Sequence, residues 1–344
     1  MKKWKVLSAI ALSAVIAAAP VMAEETYRVC FVARASADTF AAWLTNEMQK
    51  AAEEYPDIEL TTVSGEADDA EMAKQLENCI TMGYDYVIVQ SNNNAAQAPY
   101  VKAIADAGIP VVTTNPTTHQ SDLDGETGDP DVDNAVLEGT GTVDADPVAQ
   151  AAVGAKRAVE EVPENANVVV FRGPSGNYHA EKRREAWDTY FFDVRDDVNI
   201  LYEDYANWNN DEAMALMETW VQGGTHIDAI ISMNDNMAAG AIEAVRNNSD
   251  YIEDGVPNFL AYGVDGTAQG CLLIKEGLLT ATALQDAGEI AALNMKYAEA
   301  VLNGEMEVTD VDDYVDAPEI NADNVDDYIQ IYIDNGELTE DALE

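Results

Sequence analysis

The feature of the sequence that most constrains its fold is a rhythm in which short β-branched and aromatic runs alternate with stretches of helical apolar spacing. Tyr27 to Ala33 reads as a buried strand. From Phe40 onward, Phe40, Trp43, Leu44, Met48, Ala51, Ala52 and Tyr55 recur at helical intervals. Ile58 to Val63 is a second strand. Asp68 or Asp69 can cap a helix carrying Met72, Leu76, Cys79 and Ile80, which Gly83 ends. Tyr86 to Gln90 is a third strand; a helix then runs to Ala107, and Gly108 stops it before a strand at Val111 to Thr114. Parallel strands need crossover connections long enough for a helix. Repeated units of this kind therefore predict an α/β chain with a parallel sheet covered on both faces.

The rhythm breaks once. Thr117 to about Asp146 is rich in Asp, Gly, Thr and Pro, without sustained periodicity. It resumes with a helix from Pro147 to Val162 and strands at Val168 to Phe171, Asn199 to Tyr205, Ala229 to Met233, Phe259 to Val264 and Thr280 to Leu284. Two such runs predict two doubly wound lobes, and 344 residues suffice for two cores.

The first residues bear on the compartment. Lys2, Lys3 and Lys5 precede an almost wholly apolar run from Val6 to Ala19, and Val21-Met22-Ala23 has small residues at both ends of a cleavage site. This is the layout of a signal peptide, and the apolar run is short for a membrane span. The mature chain is expected to begin near Glu24, in the periplasm, with no cysteine there to carry a lipid. With 18 basic against 64 acidic residues, the formal charge is −46. Such a surface repels phosphate backbones and anionic lipids, which excludes nucleic acid as a partner. Cys30, Cys79 and Cys271 are odd in number and widely spaced. They are expected to be buried free thiols, with a Cys30–Cys79 bridge left open.

Doubly wound sheets receive ligands outside the carboxyl ends of their strands. Arg34 and Asp38 follow the first strand, Ser91 to Asn94 (with Asn92 among them) the third, and Asn115 the fourth. In the second run Asn234-Asp235, Asp265 and Gln285 hold equivalent places. Asn and Asp also favour turns and helix caps, so any one position has a plain explanation; the set as a whole points to a polar cleft. Catalytic signatures are missing. His119, His179 and His226 are far apart, no Cys/His spacing suits zinc, and neither a Gly-x-Ser-x-Gly elbow nor a phosphate-cradling glycine loop occurs. A helix-start position accounts for His179. Asp38 and Asp265 could imitate a glycosidase pair, but nothing in the sequence marks either as an acid. Asp122, Asp124, Glu126, Asp129, Asp131 and Asp133 lack the spacing of a calcium loop and read as a solvated acidic segment. No catalytic residue, metal or cofactor is expected.

Three segments carry a family resemblance. Met233-Asn234-Asp235-Asn236-Met237-Ala238-Ala239-Gly240-Ala241 resembles the Asn-Asp-x-Met-Ala-x-Gly segment of type I, ribose-binding-class periplasmic solute-binding proteins. Gly263-Val264-Asp265-Gly266-Thr267, followed by Thr280 to Gln285, is similar to a second family segment, and Gly173 to Trp187, containing Arg183, to a third. The likeness runs over roughly residues 27 to 330. It implies two lobes joined by three chain crossings: 24–142 with 286–315, and 143–285 with 316–344. The crossings are expected near Gly141 to Asp144, just after Gln285, and near Tyr314 to Pro318. It also implies ligand contacts at Arg34, Asp38, Phe40, Asn92, Asn115, Arg183, Trp208, Asn234, Asp265 and Gln285. The implied function is capture of a small polar ligand, a monosaccharide above all, by a monomer that delivers it to an ABC import permease. A periplasmic sensor serving a chemoreceptor or sensor kinase is the alternative. Two departures stand out: Asn115-Pro116 replaces an Asp-Arg pair, and Ala41 replaces one of two adjacent aromatics. They argue against ribose itself.

Overall fold

A computed structural model describes residues 26–253 and 255–343; the segment read as a signal peptide lies outside them. The first half runs β1 (Tyr27–Ala33), α1 (Thr39–Ala52), β2 (Ile58–Ser64), α2 (Asp69–Met82), β3 (Tyr86–Val89), α3 (Asn94–Asp106), β4 (Val111–Thr114), α4 (Gln120–Asp124), α5 (Pro130–Asp133) and β5 (Gly141–Ala145). The second runs α6 (Pro147–Glu161), β6 (Asn167–Arg172), α7 (Tyr178–Trp187), β7 (Asn199–Tyr205), α8 (Asn210–Val221), β8 (Ala229–Ser232), α9 (Asp235–Val245), a small ribbon β9 (Ile252–Glu253) and β10 (Val256–Pro257), β11 (Leu260–Tyr262), α10 (Ala268–Lys275) and β12 (Ala281–Ala283). The chain then returns through α11 (Ala287–Leu302), β13 (Asp312–Val315), β14 (Glu319–Asn321) and α12 (Val325–Asp334).

Two six-stranded sheets result, in the orders β13-β5-β4-β3-β1-β2 and β14-β12-β11-β8-β6-β7. Pairing is parallel throughout the first, with Tyr27 opposite Ile58 and Val29 opposite Tyr86. In the second only β14 runs antiparallel, against β12. The chain thus passes between sheets after β5, after β12, and between β13 and β14. All of β5, through Ala145, belongs to the first sheet.

Burial on both faces explains the strand sequences. Along β1, Val29, Phe31 and Ala33 join a core with residues of α1 and α11, while Cys30 and Val32 face α2 and α3. This is the period-two alternation of a strand between two helical layers. The second lobe has one large core around Phe171, Trp187, Phe191 and Tyr262. Each such side chain, once buried, contributes about 1.5–3 kcal/mol. Cys30 and Cys79 are free, with their sulfurs 3.7 Å apart; Cys271 is also free and buried.

The segment expected to be irregular holds two short helices and β5. Gly141, Thr142 and Asp144 give β5 no apolar pattern, yet the strand is buried throughout. Its polar side chains have partners: Thr142 Oγ1 donates to the Thr113 carbonyl at 3.1 Å, and Asp144 is saturated with hydrogen bonds. No helix among the described residues is long and apolar enough to cross a membrane.

Candidate functional site

Between the carboxyl ends of the two sheets lies a small cavity. The first lobe supplies Arg34, Asp38, Phe40, Gln90, Asn115 and Pro116 to its wall. Arg34 follows β1 and forms an ion pair with Asp38, the N-cap of α1, which also accepts from the Ala41 N–H at 2.7 Å. Phe40 follows in the first turn of α1 and meets Trp43 edge-on, with centroids 5.8 Å apart.

The second lobe supplies Asn177, His179, Arg183, Trp208, Asn234 and Asp265, and Gln285 follows β12. Arg183 is buried to 2 % exposure and its donors are engaged. One terminal nitrogen donates to the Met233 carbonyl at 2.7 Å and lies 3.3 Å from Asp265 Oδ1. The other donates to Gln150 Oε1 at 2.9 Å and Gln285 Oε1 at 2.7 Å. Its guanidinium carbon stands 5.5 Å from the Trp208 ring centroid. Gly173 makes room for that indole, because a Cβ there would come within 2.3 Å of it. Asn234 caps α9, accepting from the Met237 N–H at 2.9 Å.

Behind this wall sits Asp235, outside the cavity and fully enclosed. It accepts from the Thr267 N–H at 2.9 Å and the Thr282 hydroxyl at 2.7 Å. Gly263 and Gly270 leave space for its carboxylate; a Cβ at either would fall within 2.3 Å of an oxygen. Burial pushes Asp235 up to about 6, with the two threonines opposing. Burial also raises Asp265 well above the usual carboxylate range, against the attraction of Arg183. Desolvation lowers Arg183, and its acidic neighbours oppose that.

The lobes are closed on one another. The Asn94 N–H donates to the Gly176 carbonyl at 3.2 Å, Asn177 Nδ2 to the Asn92 carbonyl at 3.2 Å, and the Tyr178 N–H to Asn94 Oδ1 at 3.2 Å. His119 of the first lobe lies against Tyr178 of the second, with ring centroids 4.3 Å apart.

Nine of the ten residues singled out from the sequence therefore face one cavity. Asn92 does not. Its amide turns away to donate to Asp69 Oδ1 at 2.7 Å, and its side-chain oxygen is 3.4 Å from Arg34. Gln90, Pro116, Asn177 and His179 line the cavity without having been selected. For Gln90 the signal was its place as the last residue of the third predicted strand. For His179 it was its place one helical turn before Arg183. Among the described residues no group of three or more His, Cys, Asp or Glu side chains is placed to hold a metal ion.

The model of the periplasmic binding protein domain matches residues 29–306. The chain belongs to the periplasmic binding protein family. This periplasmic binding protein is 30% identical to a putative rhizopine-binding protein of Rhizobium meliloti over 271 residues, 77% of this chain and 82% of that one. A xylitol-binding protein of Mycolicibacterium smegmatis is 29% identical over 270 residues, 78% of this chain and 70% of its own. Among solved structures, an ABC transporter solute-binding protein from Bacillus halodurans with bound myo-inositol superposes with a TM-score of 0.78 at 26% identity, covering 91% of this chain and 100% of that one. These relatives are solute-binding proteins, and the two-lobed α/β fold is theirs.

Proposed function

We propose that the protein captures an uncharged polyhydroxylated ligand, a cyclic polyol or monosaccharide, and delivers it to an ABC import permease. The observation carrying this reading is the pairing of charges across the cavity. Arg34 is paired with Asp38, and the donors of Arg183 are taken by Met233, Asp265, Gln150 and Gln285, so no guanidinium is left over for an anionic ligand. Each pair offers donors beside acceptors, which suits neighbouring hydroxyls that both give and accept. Phe40 and Trp208 supply apolar faces for the C–H surfaces of a ring.

The names of the relatives support the same class, since they include xylitol and bound myo-inositol. In this reading the lobes are 24–142 with 286–315 and 143–285 with 316–344, adjusted so that β5 stays whole in the first. They open about the three crossings, and the ligand favours closure by touching both walls. The chain works as a monomer in the periplasm after cleavage near Ala23, and the permease recognises the closed form. Asn92 acts on the ligand only through Arg34.

The test is a thermal-shift and calorimetric screen of ligand-stripped protein with myo-inositol, xylitol, D-ribose and D-glucuronate. A ligand at 100 times its Kd stabilises by about 2.7 kcal/mol, so a binder raises the melting temperature visibly. A rise with a neutral polyol and none with glucuronate is expected. A rise with glucuronate alone would overturn the neutral-ligand reading.

A further inference from the structure

We propose that His179 is a closure residue: in the closed protein its neutral Nε2–H tautomer occupies a slot of fixed polarity on the first lobe and biases the lobes toward closure whatever the ligand. The inference rests on the binding-protein reading above.

One side of the slot is Asp144 of β5, which has no solvent exposure and does not line the cavity. Its Oδ1 accepts from the Ala145 N–H at 2.8 Å; its Oδ2 accepts from the Thr117 N–H at 2.6 Å and the Thr117 hydroxyl at 2.8 Å. His179 Nε2 stands 3.1 Å from Oδ1 and 3.2 Å from Oδ2. With the Ala145 N–H on Oδ1 and the Thr117 N–H and hydroxyl on Oδ2, both oxygens act as acceptors, as those of an ionised carboxylate do. An ionised carboxylate only accepts, so Nε2 carries a hydrogen.

The other side is Asn115, whose amide nitrogen lies 3.5 Å from His179 Nδ1. A chain of bonds anchored on a group that cannot turn fixes the amide's direction. The main-chain N–H of Arg34 donates to Gln90 Oε1 at 3.1 Å, so Gln90 presents Nε2 to Asn115 Oδ1, at 3.3 Å. Asn115 therefore turns Nδ2 to the ring, and Nδ1 accepts. Both sides independently assign the same tautomer. A second proton on Nδ1 would oppose a donor that the relay keeps in place. The charged or titratable neighbours are Tyr178 and Arg183 on the same helix, Arg34, Asp38 and Asp265 around the cavity, and Tyr314 of β13, whose hydroxyl is 3.4 Å from that of Thr117.

Gln90, Asn115, Thr117 and Asp144 all lie on or just after strands of the first sheet. His179 comes from α7 of the second lobe and enters the slot when the lobes close. Since Asp144 lies outside the cavity, its influence on the ligand runs through closure. A shift in the closed population multiplies every ligand's dissociation constant by one factor, whereas loss of a contact does not.

The test compares wild type with Asp144→Asn, which keeps the shape and removes the charge, by calorimetry with myo-inositol and with xylitol. Both dissociation constants are expected to rise by a common factor of about ten, and small-angle scattering of the ligand-free variant to shift toward the open form. Unchanged constants, or factors that differ between the two polyols, would overturn the proposal while leaving the binding-protein reading intact. If wild type binds neither polyol, that reading fails for them, and identical scattering of the two ligand-free proteins would overturn the closure role. Nitrogen NMR of histidine-labelled wild type needs no variant to fold. With three histidines in the chain, His179→Gln assigns the signal. In the loaded protein Nε2 is expected to carry the hydrogen and Nδ1 to accept. An imidazolium or an Nδ1–H ring in loaded wild type would overturn the assignment.

Discussion

On the second-lobe wall of the cleft, Arg183 is held by Met233, Asp265, Gln150 and Gln285, over a buried Asp235 with its own threonine partners. On the first-lobe wall Arg34 has Asp38, with Asn92 at the limit of reach. The difference is one of preorganisation. Most partners of Arg183 belong to its own lobe, so that wall is set before the lobes meet and receives the ligand. The first-lobe wall is sparser and completes the site on closing.

Removing Arg183 should separate the walls most sharply. Arg183→Ala leaves Asp265 buried without its cation and should cost about 3–5 kcal/mol of folding stability, as well as affinity; urea unfolding of the ligand-free protein and calorimetry read the two losses. Arg34→Ala should weaken binding and cost less ligand-free stability than Arg183→Ala, because Asp38 keeps the Ala41 N–H as a partner in capping α1. Equal stability losses would erase the contrast.

The pH dependence should follow the second wall. Asp235 titrates near 6 when folded, against about 3.9 in an unfolded chain. Between these values the folded protein keeps a proton that the unfolded chain has released. Its contribution to stability is therefore greatest below the unfolded value and declines as pH rises through about 6. Urea midpoints should increase from pH 7 to pH 5, and Asp235→Asn should flatten that rise. A rise unaltered by Asp235→Asn would mean that it comes only from relief of the surface's negative charge.

A smaller effect should come from the aromatic faces. Trp208→Ala and Phe40→Ala should each cost at least about 0.5–1.5 kcal/mol of polyol binding, with the larger loss at Trp208, which also flanks Arg183. Calorimetry with one ligand ranks them; a larger loss at Phe40 would move the principal stacking face to the first lobe. Smallest of all, Gly176→Ala should disturb only the mouth. Gly176 has φ +80°, and a Cβ there would stand 2.7 Å from Asn93 Nδ2 of the other lobe. A cost of about 1 kcal/mol is expected, along with a smaller closed fraction by scattering in the loaded protein. Scattering unchanged from wild type would show that the mouth tolerates the side chain.

The strands were legible wherever burial on both faces demanded unbroken apolar runs. β1 and β4 fall where Tyr27–Ala33 and Val111–Thr114 placed them. β5 was not, because Thr142 and Asp144 serve a polar network that only tertiary partners reveal. β13 and β14, on either side of the crossing expected near Tyr314 to Pro318, were not read as strands, since Asp312 and Asp313 on an edge leave little pattern to follow. At the site, strand-end logic reached Asn115 and Asp265, but it favoured Asn92 over Gln90. Which of two nearby amides turns inward depends on Asp69 and the Arg34 N–H, and those contacts leave no trace in spacing. The reading that Asn and Asp serve as caps and the reading that they line a cleft proved compatible: Asp38 and Asn234 do both.

The late return of the chain bears on how the protein is made. Asp312 of β13 pairs with Thr142 of β5, and Ile320 of β14 with Thr282 of β12, so each sheet waits for its edge until the C-terminal segment arrives. A nascent chain emerging N-terminus first therefore carries two incomplete sheets with unpaired borders for most of its synthesis, which makes assembly slow. That delay couples completion of both halves to one final event.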